Sequence, residues 1–167
     1  MTTEDSKKLV DRMYESMNLD VVGAMTRHWT SNVVWPGPTG IGTKHGVEQF
    51  EEEVRRALIR AFPDKVGQDI VRIAEGDWVA GTGYQDTTFA QDWLGIPATG
   101  EPVRVRYTDF WRIEKEDGGG GGGGERKLAE NLVLIDTPGV FEQAGYDVKK
   151  VLKFVGSKPP EFLEDVE

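Results

Sequence analysis

Between positions 4 and 17 the apolar residues are Leu9, Val10, Met13, Tyr14 and Met17, the spacing of one helical face. Glu4 and Asp5 stand where the positive end of the helix dipole favours acids. A second short helix is predicted from Leu19 to about Arg27, and "SNVVW" reads as a strand that ends at Pro36. The segment "PGPTGIGTKHG" holds four glycines and two prolines, so it reads as a loop. The clearest helix is predicted from Gly46 to Ala61. Val47, Phe50, Val54, Ala57, Leu58 and Ala61 form its stripe, with Glu51, Glu52, Glu53, Arg55 and Arg56 solvated around it. Phe62-Pro63 ends it, because the residue before a proline is pushed out of the helical region.

The pattern then changes to strands. "KVGQDIVRIAE" and "DWVAGTGYQDTTFAQ" flank a predicted turn at Glu75-Gly76-Asp77. "DWLGIPATGE" is a loop, and "PVRVRYTDFWRIE" and "RKLAENLVLID" are two more β-prone runs. A final helix is predicted from Pro138 to Ala144, before a loosely held tail, "SKPPEFLEDVE". Seven glycines, Gly118 to Gly124, separate the last two β runs. Lengthening a surface loop costs only ~0.6 kcal/mol per doubling, and the residues beyond the glycines are too few to build a core of their own. The reading is one domain over 1–155 with a Gly-rich hairpin tip at 117–125, and an acidic tail at 156–167. Helices, a strand, a long helix and then four strands point to an α+β fold. In it a strongly bent antiparallel sheet forms a cone packed against the N-terminal helices and the long helix.

A net charge of −9 opposes non-specific binding to nucleic acid or anionic membrane, both of which require a positive surface. The chain has no cysteine, which removes disulfides, thiolate nucleophiles and thiolate metal ligands. Its N-terminus lacks a secretory pattern and no apolar run is long enough to span a membrane. A soluble cytoplasmic protein is the economical expectation.

Strand alternation puts Tyr107, Asp109 and Trp111 on one face and Arg104, Arg106 and Thr108 on the other. An inward Asp109 beside two aromatics would be an acid/base or orient a ligand; alternatively it pairs with a neighbouring strand. In "ENLVLID", Glu130, Leu132, Leu134 and Asp136 share one face and Asn131 takes the other. Asp136 is the favoured inward residue, with Glu130 deeper on its face and Asn131 in reserve. A carboxylate lining an apolar pocket has a raised pKa and can trade protons at neutral pH. "Asp-Thr-Pro" before a helix is also a capping signature, so Asp136 has two readings. His28 and His45 are the only histidines. They form no metal-ligand spacing, and His45 either rims a pocket or stands near a helix start. Trp35 and Trp111, like Trp29, Trp78 and Trp93, either wall a cavity or pack the core.

The segments "GTKHGVEQFEEEVRRALIRAFPD", "RIAEGDWVA", "LGIPATGEPVRVRYTDFWRIE" and "KLAENLVLIDTPGVFEQAG", in that order, resemble the SnoaL-like polyketide cyclase or ester cyclase family of the nuclear transport factor 2-like fold. The resemblance covers roughly residues 10–148. It implies a cone-shaped pocket for a small hydrophobic ligand, no metal or organic cofactor, and a homodimer. It carries the family's acid/base aspartate over as Asp136, with Glu130 and Asn131 on neighbouring motif positions. The chain departs from the family at Leu132, where relatives have tryptophan, and at Phe89 and Gln91, where many have histidine and glycine. Limonene epoxide hydrolases of the same fold use an Asp-Arg-Asp set. Here Arg106 and Asp109, three residues apart, face opposite ways on a regular strand. The functional expectation is a cofactor-independent acid/base enzyme acting on a small hydrophobic carbonyl compound, by cyclisation, isomerisation or hydrolysis. Asp136 and Asp109 would be catalytic, and Glu130, Asn131, Trp35, His45, Tyr107, Trp111 and Arg106 would contact substrate. The alternative is a non-catalytic small-molecule binding or dimerisation module.

Overall fold

In the computed structural model, which describes residues 2–19, 23–38, 40–116 and 124–156, the first apolar stripe forms helix α1, Thr3–Asn18. The Thr2 hydroxyl accepts the Asp5 N–H at 3.2 Å, and the Asp5 carboxylate accepts the Thr2 N–H at 3.0 Å. This reciprocal cap satisfies two donors that a helix start leaves open. Helix α2 is Ala24–His28; residues 20–22 of the stretch predicted there lie outside the described residues. Strand β1, Trp29–Pro36, pairs antiparallel with β2, Thr43–His45. The Gly/Pro-rich loop therefore ends in a short edge strand that its composition did not signal.

The long helix forms in three pieces: α3, Gly46–Phe50, a π-helical turn, Glu51–Arg55, and α4, Arg56–Ala61. A π turn takes one more residue per hydrogen-bonded ring than an α turn, so the phase of the stripe slips. Val54 and Arg55 are both buried as a result, which corrects the expectation that Arg55 is solvated. Glu51 accepts from Arg55 at 2.8 Å and pairs with Arg56 at 2.7 Å.

Strands β3, Val66–Glu75, β4, Trp78–Thr88, β5, Pro102–Glu116, and β6, Glu125–Ile135, complete a six-stranded sheet of order β2-β1-β6-β5-β4-β3. All neighbours are antiparallel except β1 and β6. Strands β5 and β6 pair from Tyr107↔Ile135 to Glu116↔Glu125, so the segments on either side of the glycines belong to one sheet. Residues 117–123 of the predicted hairpin tip and 157–167 of the predicted tail lie outside the described residues. Helix α5 is Thr137–Gln143, and a further helix, α6, Val148–Gly156, follows it.

Strand β3 forms one edge of the sheet beside β4, and its backbone comes close to the inward Gly83. A register shift in β3 between Asp69 and Val71 bends it. Gly83 permits the approach, since a Cβ there would lie 2.0 Å from the Gln68 carbonyl oxygen. Two apolar clusters fill the concave side. One joins α1, β1 and the centre of the sheet through Val10, Trp29, Trp35, Phe50 and Trp111. The other joins α4, the β4–β5 loop and α5 through Phe62, Phe89, Trp93, Val105 and Val140. No helix among the described residues is long and apolar enough to cross a membrane.

Candidate active site

A cavity of about 120 Å³ separates the two clusters. Strict alternation along β5 sends Val105, Tyr107, Asp109, Trp111 and Ile113 inward. Asp109 thus reaches the cavity wall among Trp35, Phe50, Val54 and Val133. From β6, the Asn131 amide donates to Asp109 Oδ1 at 2.8 Å, and Asn131 Oδ1 accepts the Trp35 indole N–H at 2.9 Å. An indole N–H can only donate, so Trp35 fixes which end of the amide faces Asp109. Burial pushes the Asp109 carboxyl up to about 7, and the charge of Asp69 pushes the same way. The Asn131 hydrogen bond, and to a smaller degree Tyr14, oppose the rise.

A second polar group stands beside this one. Tyr107 donates its hydroxyl hydrogen to Asp69, whose other carboxylate oxygen takes Arg72 Nε at 2.6 Å. Gly81 makes the place for Asp69, because a Cβ there would meet its Oδ2 at 2.6 Å. Tyr14 of α1 packs edge-on against Trp111, with ring centroids 5.7 Å apart, and Arg72 lies over its ring. Burial holds the Tyr14 and Tyr107 hydroxyls well above the usual phenol range, so both stay protonated.

Of the residues expected from sequence, Asp109, Asn131, Tyr107 and Trp35 come together on this cavity. Trp111 is buried in the core next to it. The expected face of the last strand is corrected: Asn131, Val133 and Ile135 line the cavity, while Glu130 and Asp136 are on the other side. A register shift between Arg112 and Ile113 leaves Leu128 and Ala129 both buried, which rephases the strand. Glu130 instead accepts from Arg112 Nε at 3.0 Å. Asp136 is the N-cap of α5, accepting the Gly139 N–H at 3.1 Å, and it pairs with the exposed Arg106 at 3.3 Å. His45 is exposed at the start of α3. It lines a separate surface groove of about 710 Å³ with Glu48, Glu51, Glu116 and Lys127. That groove is larger, but its Glu116 and Lys127 are already paired at 2.6 Å, and Asp109 is not among its walls. The interior cavity is therefore the better candidate for acid/base chemistry.

Trp93, one of the tryptophans with two readings, lines the cavity, whereas sequence reasoning missed Arg55, Lys65, Gln85 and Phe62 as wall residues. Arg55 depends on the π turn, and Lys65 lies between elements where no periodicity speaks. Phe89, the position where the resemblance leads one to expect histidine, is fully buried and stacked on Phe62 with centroids 5.4 Å apart. Among the described residues no three His, Asp or Glu side chains are grouped to hold a metal ion. His28 is tied to the Ser16 hydroxyl at 2.8 Å.

A curled six-stranded sheet wrapped around helices is the nuclear transport factor 2-like fold. Within it, the sequence profile of the SnoaL-like polyketide cyclase family matches residues 7–118, and the chain belongs to that family. Solved structures share the fold. IdmH of Streptomyces antibioticus, a candidate polyketide cyclase, superposes with a TM-score of 0.68 at 19% identity, over 84% of this chain and 99% of that one. TsrD of Streptomyces laurentii gives 0.69 at 20%, over 87% and 98%. An NTF2-like protein of Burkholderia thailandensis gives 0.64 at 20%, over 87% and 99%. A comparison with curated proteins gives no match.

Proposed function

We propose that this chain is an enzyme that moves a proton on a small, mainly apolar carbonyl compound without a cofactor, with Asp109 as the acid/base. The carrying observation is a carboxylate buried in an apolar cavity with a pKa near 7, close to the working pH, where a group both takes and returns a proton efficiently. Asn131 holds Oδ1, which fixes the carboxyl that exchanges its proton with the substrate. The substrate carbon lies against the apolar wall of Trp35, Phe50, Val54 and Val133, shielded from water. Aldol-type cyclisation and isomerisation begin with removal of a proton from the carbon next to the carbonyl, and hydrolysis with removal of one from the attacking water. Asp136 is given the capping role, because its Oδ1 already serves the α5 backbone.

The test is exchange of solvent deuterium into a panel of small ketones and keto acids, followed by proton NMR. Wild type is expected to accelerate exchange on at least one member and Asp109→Asn to lose it. Equal exchange by both proteins sinks the assignment. A second reading, a non-catalytic binding module, draws support from Phe89, since the chain has phenylalanine, packed on Phe62, where the family resemblance leads one to expect an acid/base histidine. Binding without exchange is its outcome.

We also propose that two copies pair through the outer face of the sheet and work in the cytoplasm. Ile73, Ala80, Phe110 and Leu132 form one cross-strand row, and Val71, Thr82, Thr108 and Leu134 form the next. Leu134 is 71% exposed. Contiguous apolar surface of this kind marks an interaction face.

A further inference from the structure

We propose that Lys65 makes this cavity selective for carbonyl compounds that carry a negatively charged oxygen, held at the end of the cavity away from Asp109. The inference rests on the interior cavity being the substrate site.

Lys65 lies in the short connection between α4 and β3 and lines the cavity beside Phe62, Gln85, Trp93 and Val105. Its position is anchored by the residue before it. The Asp64 carboxylate accepts the Thr88 N–H and the hydroxyls of Thr87 and Thr88, each at 2.7 Å. Those three bonds hold the connection against the end of β4. They also engage both oxygens of the acid nearest to Lys65 in sequence. No carboxylate pairs with Lys65 among the described residues. The other cation on the cavity wall, Arg55, already has Glu51 at 2.8 Å.

Burial, with a further push from the charge of Arg55, lowers the Lys65 ammonium to about 8. It remains mostly charged at neutral pH. A half-buried cation without a counter-ion carries a desolvation cost that an incoming anion offsets. The cavity is thus asymmetric. Val66, next to Lys65, pairs with Asp86 near the end of β4, whereas Asp109 pairs with Gly81, so the positive charge and the carboxyl stand apart along the wall, which Val54, Leu58, Val133 and Ile135 also line.

Dimensions set the ligand's size. Val105 and Asp109, both on the cavity wall, are four residues apart on β5, about 13 Å at ~3.3 Å per residue, and the lysine stem spans part of that length. The space is about 120 Å³, similar to an engineered cavity of about 150 Å³ that takes benzene. One ring or a short chain fits, with its anionic group on Lys65 and its acidic C–H toward Asp109. Binding energy gained at the remote anionic group then orients the reacting carbon. Lys65 in this role determines specificity and does not touch the reacting atoms.

The probes are benzoate and benzamide, which match in shape and differ in charge. Trp35 and Trp93 line the cavity, so tryptophan fluorescence reports occupancy, with ligand-observed NMR as a check. Wild type is expected to bind benzoate at least tenfold more tightly than benzamide. Lys65→Met should abolish that preference while benzamide affinity stays within twofold, and Lys65→Arg should restore it. Unchanged benzamide binding also reports that the variant has kept its fold. Equal affinity of wild type for both probes, an equal loss of both in Lys65→Met, or no binding of either probe overturns the proposal. Asp109→Asn separates this inference from the proton-transfer reading. If the benzoate preference survives in a chain that shows no deuterium exchange even as wild type, the anion site stands and the catalytic assignment falls. If wild type exchanges deuterium into carbonyl compounds but shows no charge preference, the catalytic assignment stands and the anion site falls.

Discussion

Asn131 donates to Oδ1 of Asp109 at 2.8 Å, from the strand next to it. Both side chains are buried, and Trp35 holds the amide the right way round. An otherwise unsupported carboxylate in an apolar wall would be driven entirely to its neutral form. With the Asn131 N–H and, to a smaller degree, Tyr14 opposing the rise, its pKa settles near neutrality, where both protonation states are populated. The pair is the chemical centre of the cavity.

Asp109 gives stability a pH signature. Its folded-state pKa is raised from 3.8 to about 7. Between those values the folded chain keeps a proton that the unfolded chain has released, so stability falls as pH rises through this window and levels off above it. In urea unfolding at pH 5 and pH 8, wild type should lose stability relative to Asp109→Asn with a slope of up to ~1.4 kcal/mol per pH unit. A pH-independent difference between the two proteins would show that Asp109 is ionised throughout.

Removing Asn131 leaves two buried groups short of a partner. Asn131→Ala should cost about 2–4 kcal/mol, from the desolvated Trp35 N–H and Asp109 carboxyl left behind. It should also raise the Asp109 pKa further, because the lost hydrogen bond was lowering it. Carbon-13 NMR titration of labelled aspartate reads this directly. A midpoint at or below that of wild type contradicts the arrangement.

Asp136 is expected to behave as a cap. Asp136→Ala should cost ~0.5–2 kcal/mol in urea unfolding and leave probe binding in the cavity unchanged. Loss of binding or of deuterium exchange in a variant that remains folded would return Asp136 to the site.

Gly83 lets the β3 backbone lie close against β4. An added methyl would collide with the Gln68 backbone at 2.0 Å, which strand β3 can relieve only by moving outward. Gly83→Ala should destabilise by at least ~1–3 kcal/mol, the usual cost of overpacking. Unchanged urea stability would show that β3 moves without penalty.

The outer face is expected to hold a homodimer. Leu134→Lys should shift the molecular mass in sedimentation equilibrium from two chains to one, and leave the far-ultraviolet circular dichroism spectrum in place. A wild-type protein that sediments as a monomer at high micromolar concentration disproves the pairing.

The helices and strands were legible where the local pattern had one solution. Along β5 the inward residues Val103, Val105, Tyr107, Asp109, Trp111 and Ile113 alternate with Arg104, Arg106, Thr108 and Arg112, so the inward face, and Asp109 on it, could be read from period two alone. The resemblance supplied the fold, and the match over residues 7–118 places the chain in the family. Strand β6 was ambiguous because both of its faces are apolar: Leu132 and Leu134 look out, Val133 and Ile135 look in. Period two identifies such a strand without choosing its face. That choice belonged to the bulge at Leu128–Ala129, and to Trp35, whose indole needs an acceptor at Asn131. Arg55 was invisible for a similar reason, since a helical pattern assumes 3.6 residues per turn and the π turn does not keep it. Lys65 carries no periodic signal at all, and only residues distant in the chain, Gln85, Trp93 and Val105, build the cavity wall that it joins. Local sequence decides which elements form, through backbone geometry and amphipathic spacing. Which polar groups end up buried together is decided when those elements pack, because burial and hydrogen-bond pairing are properties of neighbours far apart in the chain.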